Sequence, residues 1–336
     1  MLTLSIDAMG GDLGPRIVVS AIKKAVKRYP HYHFLLVGDQ STLSNLLIEY
    51  KLKHHSCITV HHAPNTISMT DSPLSALRHS KNTSMRLALD LVRQGKANAC
   101  LSCGNTGALV AMSKNILGMF HGLERPALIK EIPTKNKNYT YILDLGANNI
   151  CDAENLYQFA LLGSAYVKSI RNIAQPRIAL FNIGKEKFKG NRTIQETAYL
   201  LEQENKANLN YIGFIEGDEL FNTMANVIVC EGIIGNSILK SVEGLSSLMR
   251  YEIFKIFNQN IATRLAYKII KKPLMQLIKK YNPIDYNGAI LLGLNHIVIK
   301  SHGNANEFAF YQAIKCAMLS IEGDILLNVQ KYIDLT

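Results

Sequence analysis

The chain has 336 residues, of which 48% are hydrophobic and 19% charged, a composition typical of folded globular proteins rather than disordered ones. It contains no apolar run of 18 or more residues and no basic signal-peptide segment at its N-terminus, so we expect a cytoplasmic protein without a spanning helix. The net charge of +11 favours acidic partners, but no zinc-finger or aromatic-rich RNA-binding pattern is present, and nucleic-acid binding is not expected.

Strand-like and helix-like patterns alternate along the first part of the chain. Alternating apolar residues predict strands over 2–6, 34–37 and 58–61, and helical spacing predicts helices over 17–29 and 42–50. This order predicts an α/β fold with three layers, in which helices cover both faces of a mostly parallel sheet. Ligands of such folds bind beyond the carboxyl ends of the strands, where Asp7 and the following glycines lie. No linker or repeat divides the chain, so residues 1–336 are predicted to form one domain.

Residues 97–117 form the most informative stretch. An apolar run over 97–101 predicts a buried strand, residues 104–107 (Gly-Asn-Thr-Gly) predict a tight turn, and 108–117 predict a helix. The start of a helix leaves backbone N–H groups unpaired, and together with the helix dipole they bind anions. We therefore predict that Gly104 and Gly107 bind phosphate, beside Asn105 and Thr106.

Similar turns follow later predicted strands, which suggests one composite site. Asp144 and Asn148 follow a strand over 139–143, and a lysine-containing loop follows a strand over 178–181. A third turn follows a strand over 227–230, and a fourth follows the last predicted strands. Their candidate ligands or supporting residues are Lys185, Lys189, Glu231, Asn236, Lys240 and His302. The alternatives are that Asp144 only ties backbone amides and that the lysine loop is an ordinary surface loop.

The six cysteines are expected to be reduced and mostly buried. Cys100 and Cys103 form one CxxC pair, but no second pair or histidine lies at zinc-ligand spacing. A redox pair remains the alternative to a buried Cys100 and a space-filling Cys103. Neither a metal nor a cofactor is expected.

Residues 250–282 combine an apolar stripe at helical spacing with many cations, and Pro273 is predicted to interrupt the run as the break of a helical hairpin. Such a segment is typical of a helix that lies on an anionic membrane surface, and an alternative is a dimer interface. The predicted contact residues are Phe254, Phe257, Arg264, Leu265, Lys268, Lys271 and Lys272.

Seven motifs, in order, resemble those of the bacterial phosphate acyltransferases of phospholipid synthesis. They are IDAMGGDLGP (6–15), SCGNTGAL (102–109), ERPAL (124–128), LDLGAN (143–148), NIGKEKFKG (182–190), EGIIGN with the following LK and EG (231–244), and SHGNAN (301–306). The resemblance spans nearly the whole chain. It implies a fold related to that of the phosphotransacetylases and isopropylmalate dehydrogenase. It also implies transfer of a fatty acyl group from acyl carrier protein to inorganic phosphate.

The resemblance further implies a homodimer that associates peripherally with the inner face of the membrane. Its product, acyl phosphate, would feed a downstream glycerol-3-phosphate acyltransferase. Four features depart from the family pattern: Glu231 replaces an Asp, Cys103 replaces an Ala, Asp218 replaces an Arg, and residues 287–290 (Asn-Gly-Ala-Ile) replace Gly-Gly-Ala-Pro. A phosphotransacylase that uses acyl-CoA and a non-catalytic membrane scaffold are the alternatives.

Phosphate is already an anion and a thiolate leaves readily, so this reaction needs positioning and charge stabilisation more than a strong base. We predict catalytic roles for Asn105, Thr106, Asn236 and His302. The lysines of the 182–190 loop would neutralise phosphate, and Asp7 and Asp144 would orient the donors.

Overall fold

Eleven strands form one sheet in the part of the chain that the computed structural model describes, which is residues 2–135, 139–204, 209–281 and 286–333. The strands are β1 (Leu2–Asp7), β2 (Tyr32–Gly38), β3 (Ile58–His62), β4 (Ala99–Ser102), β5 (Ala127–Ile132), β6 (Thr140–Leu143), β7 (Arg177–Phe181), β8 (Asn210–Ile215), β9 (Val227–Val229), β10 (Ala289–Leu292) and β11 (Ile297–Lys300). Their order in the sheet is β3-β2-β1-β4-β11-β10-β5-β6-β9-β7-β8.

Helices cover both faces of the sheet. They are α1 (Pro15–Arg28), α2 (Gln40–Glu49), α3 (Pro73–Arg78), α4 (Ser84–Arg93), α5 (Thr106–Leu117), α6 (Ala153–Arg171), α7 (Arg192–Glu204), α8 (Gly232–Phe257), α9 (Ile261–Tyr281), α10 (Glu307–Glu322) and α11 (Ile325–Ile333), and a 3-10 turn spans Gly217–Glu219. Successive strand residues point to opposite faces: Leu101 packs into the cluster with α1 and α10, and Cys100 packs into the cluster with α4 and α5. The predicted three-layer α/β fold with a mostly parallel sheet is confirmed.

The sheet reverses direction near its middle, which the sequence did not indicate. Strands β3, β2, β1, β4 and β11 are parallel to one another, and so are β6, β9, β7 and β8, but antiparallel β10 and β5 connect the two groups. The register pairs Lys300 with Ala289, Ile290 with Ile129, and Ile129 with Leu143. The carboxyl ends of β11 and β6 therefore approach the same level of the sheet from opposite sides.

The hairpin forms, but its turn is not at Pro273. Helix α8 ends at Phe257 and α9 begins at Ile261, where the side chain of Asn260 accepts a hydrogen bond from Thr263 N at 2.9 Å and caps the new helix. Pro273 lies inside α9. This capping signal moves the turn towards the N-terminus of the segment, and residue 282 lies outside the described residues.

The closing helix is also divided. The apolar residues from Phe310 to Ile325 recur at helical spacing and predict one helix, but α10 ends before Gly323 and α11 begins at Ile325. Asp324 adopts a positive φ of 46°, a left-handed conformation that cannot continue a right-handed helix. No helix among the described residues is long and apolar enough to cross a membrane.

The start of α8 packs closely against the turn that follows β6. The carboxylate of Asp144 accepts hydrogen bonds from the backbone N–H groups of Leu128, Ala147 and Asn148, at 2.8, 3.1 and 2.7 Å. Gly235 faces this turn, and a Cβ atom there would lie 2.0 Å from the Asp144 carbonyl oxygen. The close contact between turn and helix therefore requires glycine.

Gly235→Ala should lower the free energy of unfolding by about 2 kcal/mol, because the clash is with backbone that cannot rotate away. Gly244→Ala on the same helix is the matched control, since nothing lies within 4 Å of its Cβ position, and it should stabilise by about 0.5–1 kcal/mol. Urea unfolding of both variants measures the difference. Equal stabilities would contradict the predicted packing.

Candidate active site

A cavity of about 460 Å³ lies where the carboxyl ends of the two strand groups meet. It is bounded by the first residue of α5, by β5 and the start of β10, by α8, and by the end of β11 with its following loop. Its polar lining residues are Asp12, Thr106, Lys130, Asn236, Lys240, Asn287, Lys300, Ser301, His302 and Asn304. The cavity therefore carries several cations and donors on a small surface.

Two buried lysines give the cavity its character. Lys130 on β5 and Lys300 on β11 are each 9% exposed, and burial lowers the pKa of each to about 8, with repulsion from Lys240 acting in the same direction. Both remain mostly protonated at neutral pH. Lys130 Nζ makes no hydrogen bond or ion pair with any described residue, whereas Lys300 Nζ donates to the Ser301 carbonyl. A buried cation without a carboxylate partner is stabilised by an anion, so the cavity is suited to bind one.

Sequence reasoning did not select these lysines. Each follows three apolar strand residues, in ALIK (127–130) and IVIK (297–300). A lysine within an apolar strand pattern is unusual, and this is the signal by which both residues could have been found.

His302 belongs to a three-residue ionic cluster. Its Nε2 lies 3.1 Å from Oε2 of Glu243, and Lys240 Nζ lies 3.0 Å from the same oxygen and also contacts His302 Nε2. Burial works to raise the pKa of Glu243, but hydrogen bonds from His302 and Lys240 hold it at about 2. Glu243 is therefore a carboxylate that positions both Lys240 and His302. Sequence reasoning missed Glu243, although it lies three residues after Lys240.

Two helix ends supply further donors. Thr106 is the first residue of α5 and lines the cavity, and the N–H groups of Thr106 and Gly107 make no hydrogen bond with the described residues. Asn236 lies near the start of α8, and its side-chain amide also has no partner among them. The structure thus brings Thr106, Asn236 and His302 together around one space.

Asn105 is placed differently from the prediction. Its Oδ1 accepts a hydrogen bond from Ala108 N at 3.1 Å and caps α5, while its Nδ2 donates to three carbonyl oxygens, of Ser68, Met69 and Asp71. Both ends of the amide are occupied, and Asn105 does not line the cavity. Its visible role is to shape the turn and to fasten the loop at residues 68–71.

The neighbouring glycines also have packing roles. Gly104 N donates to Ser102 Oγ at 3.0 Å, and a Cβ at Gly107 would lie 2.7 Å from Pro73. The backbone N–H of Gly107 is therefore available to bind an anion, whereas the N–H of Gly104 is already used in a hydrogen bond to Ser102.

Asp7, the last residue of β1, stabilises the same turn through hydrogen bonds. It is 1% exposed and accepts hydrogen bonds from Ser84 Oγ and Ser102 Oγ at 2.6 and 2.7 Å. Burial raises its pKa, and these hydrogen bonds oppose that effect. The arrangement fixes the turn between β4 and α5 against β1.

Glu231 and Asn148 also act behind the cavity wall. Glu231 precedes α8, and its Oε1 accepts a hydrogen bond from Cys151 N at 3.2 Å. Asn148 Nδ2 donates to the Pro126 carbonyl at 2.8 Å and to Asp144 at 3.0 Å. These contacts hold the β6 turn against the start of β5.

The lysines of the 182–190 loop do not reach the cavity. Lys185 pairs with Glu219 at 2.5 Å and Lys189 with Glu186 at 3.0 Å, and neither lines the cavity. Their loop follows β7, and β9 lies between β7 and β6 in the sheet. Since neighbouring strands are about 4.8 Å apart, the loop lies about two strand spacings away from the turn after β6. The structure therefore does not bring Lys185 and Lys189 to the cavity as the sequence analysis predicted.

Two further departures from the family pattern, Cys103 and Asn287, have visible contacts. Cys103 is buried, its Sγ lies 3.0 Å from the Gly10 carbonyl, and burial raises its pKa to about 12. Cys100 lies in the core, where burial raises its pKa as well. Asn287 donates to Ser301 Oγ and accepts from His302 N, at 2.8 and 3.2 Å, so it fixes the histidine loop. The described residues contain no group of three or more His, Cys, Asp or Glu side chains that could hold a metal ion.

The surface of the α8–α9 hairpin is apolar and basic. Leu265 is 54% exposed, and Arg264, Lys268, Lys271 and Lys272 are exposed without an ion pair to any described residue. Phe254 and Phe257 instead pack against the ring of Tyr267 inside the hairpin.

Known proteins resemble this chain over nearly its full length. The family described as "Fatty acid synthesis protein" matches residues 2–326. A phosphate acyltransferase of Shewanella halifaxensis (strain HAW-EB4) is 46% identical over 317 residues, which cover 94% of this chain and 92% of the relative. A phosphate acyltransferase of Moritella marina is 43% identical over 334 residues, which cover 99% and 98%.

Solved structures share the fold at low sequence identity. A phosphotransacetylase from Streptococcus pyogenes has a TM-score of 0.59 at 16% identity, over 99% of this chain and 94% of its own. A 4-hydroxythreonine-4-phosphate dehydrogenase from Klebsiella pneumoniae has a TM-score of 0.57 at 13% identity, over 95% and 98%. The predicted relation to the phosphotransacetylase and dehydrogenase folds is confirmed. Since the family match and the relatives extend over nearly the whole chain, this protein belongs to the phosphate acyltransferase family and is an acyltransferase.

Proposed function

We propose that this protein transfers a fatty acyl group from acyl carrier protein to inorganic phosphate and releases acyl phosphate. The observation that carries the proposal is the pair of buried lysines, Lys130 and Lys300, which line a cavity beside two helix N-termini. A dianion such as phosphate supplies the counter-charge that Lys130 lacks. The names of the relatives support phosphate as the acyl acceptor.

In the proposed reaction a phosphate oxygen attacks the thioester carbonyl carbon and forms a new C–O bond. The carbonyl electrons move to the oxygen and return as the C–S bond breaks, so that the carrier leaves as a thiolate. Lys130 and Lys300 hold the phosphate, and the N–H groups of Thr106 and Gly107 with the amide of Asn236 stabilise developing negative charge. His302, held by Glu243, lies at the cavity wall to donate to the carbonyl oxygen or the departing sulfur.

The available cysteines argue against a covalent acyl-enzyme. A nucleophilic cysteine needs thiolate character, and burial instead raises the pKa of Cys103 to about 12. Direct attack by phosphate also needs no cofactor. The scaffold alternative leaves an uncompensated cationic cavity without a purpose.

The acyl donor is the open choice between two reactions. The net charge of +11 suits the acidic carrier protein as donor.

Purified protein mixed with palmitoyl-acyl carrier protein and phosphate should give acyl phosphate, which hydroxylamine converts to a measurable hydroxamate. Palmitoyl-CoA in a parallel reaction tests the alternative donor, and omission of phosphate is the control. Product from CoA alone would replace the carrier in the proposal. A folded protein that gives no phosphate-dependent product with either donor would contradict it.

Lys130→Met should separate stability from phosphate binding. Removing a cation whose pKa is lowered from 10.5 to about 8 should raise the free energy of unfolding by up to about 3 kcal/mol at pH 7. The same change should weaken phosphate binding about tenfold, because a charge-assisted contact is lost. Thermal melts with and without phosphate measure both effects. Lys96→Met, at an exposed lysine, is the control, and equal phosphate protection in the two variants would remove Lys130 from the site.

We further propose that the exposed cations of the α8–α9 hairpin bind the anionic membrane surface, as the resemblance implies. Apolar side chains such as Leu265 and Ile269, which are 54% and 81% exposed, lie among these cations. Carrier docking is the alternative use of this surface. Cytoplasmic location, the single domain, the homodimer and the downstream glycerol-3-phosphate acyltransferase remain predictions.

Replacing the four hairpin cations by Gln should weaken binding to phosphatidylglycerol vesicles at least about tenfold at low salt, with a smaller effect at high salt. The variant changes Arg264, Lys268, Lys271 and Lys272. The control removes the same charge elsewhere on the surface, at Lys27, Arg28, Lys53 and Lys96. Vesicle co-sedimentation measures binding, and equal losses in both variants would show that net charge alone is responsible.

A further inference from the structure

A second pocket adjoins the cationic cavity and is almost entirely apolar. It lies between the ends of β5 and β6 and the side of α8, and it shares Lys130, Leu145 and Leu239 with the cationic cavity. Its other apolar walls are Ile132, Pro133, Ile142, Leu220, Phe221, Ile238 and Val242. A path from charged to apolar surroundings therefore begins at Lys130.

The two cavities use adjacent stripes of one helix. Asn236 and Lys240, four residues apart, line the cationic cavity, and Glu243, three residues further along, contacts Lys240 and His302. Leu239 and Val242, three residues apart, line the apolar pocket on the neighbouring stripe of the helix. Helix α8 thus forms a polar wall for the reacting group of a substrate and, on the adjacent stripe, an apolar wall for its tail.

We infer that this pocket, called here the tail pocket, holds the acyl chain of the donor, with the thioester carbonyl beside the phosphate in the adjoining cationic cavity. The inference rests on the proposed function. A fatty acyl chain fits because burial of each methylene in an apolar wall is favourable, while the pocket offers few polar partners. Tyr281, the last residue of α9, also lines the pocket, so the tail pocket is continuous with the hairpin.

The tail pocket is narrow in this structure, with a volume of about 30 Å³. The acyl chain must therefore displace side chains on entering. Phe221, which is 38% exposed, lies at a wall that borders solvent, whereas Ile142 and Leu220 are 1% and 3% exposed in the core. Phe221 and Tyr281, which is 39% exposed, are wall residues with room to move outwards.

Val242→Phe tests the inference by adding bulk to the α8 wall. The kcat/KM for palmitoyl-acyl carrier protein should fall about tenfold or more, while that for the butyryl donor stays within about twofold. In the wild type, kcat/KM should be higher for the palmitoyl donor than for the butyryl donor, because the longer chain buries more apolar surface. Leu245→Phe, three residues further along α8 and 59% exposed, is the control and should leave the chain-length ratio unchanged.

Ile238→Ala provides the opposite change and keeps the test independent of the folding of the first variant. It widens the pocket and should raise the stearoyl-to-palmitoyl ratio of kcat/KM. If both wall variants keep the wild-type ratios, the tail lies elsewhere and the inference is overturned. If the wild type itself forms no acyl phosphate from either the butyryl or the palmitoyl donor, the proposed function fails, and the inference fails with it.

Discussion

Burial of Lys130 and Lys300 without a carboxylate partner is the constraint on which the site depends. Lowering a lysine pKa from 10.5 to about 8 corresponds to about 3 kcal/mol of unfavourable burial for each charged group. The fold tolerates this cost because the surrounding sheet is extensive and apolar. The result is positive charge that is already desolvated and fixed before an anion arrives, which strengthens its interaction with that anion.

The buried carboxylates differ from the buried lysines, because their charge is compensated by hydrogen bonds. Asp7 and Asp144 are almost inaccessible to solvent, but each accepts hydrogen bonds from neighbouring hydroxyl or amide groups. They tie the turns at the ends of β1 and β6, and glycines allow the adjoining turns and helix to approach closely. The hydrogen-bonded carboxylates thus make the cavity walls rigid, while Lys130, which has no hydrogen-bond partner among the described residues, remains able to bind an anion.

Helix α8 connects the parts of the proposed mechanism. Its first turns place Asn236 at the cavity, its polar stripe places Lys240 and Glu243 beside His302, and its apolar stripe borders the tail pocket. Beyond these residues it continues into the hairpin with α9. One rigid element therefore sets the distances among the anion, the acyl tail and the proposed membrane contact.

The sequence by itself determined the layered fold, most elements, the glycine turns and the family, because these depend on local periodicity and short motifs. Thr106, Asn236 and His302 could be placed near one another since each follows a strand. Only the tertiary structure decided that the sheet reverses at β10 and β5, which selects Lys130 and Lys300 and leaves Lys185 and Lys189 outside. It also decided that the amide of Asn105 is occupied. Local patterns do not encode strand direction across a sheet or the partners of a buried side chain, because both depend on residues distant in sequence.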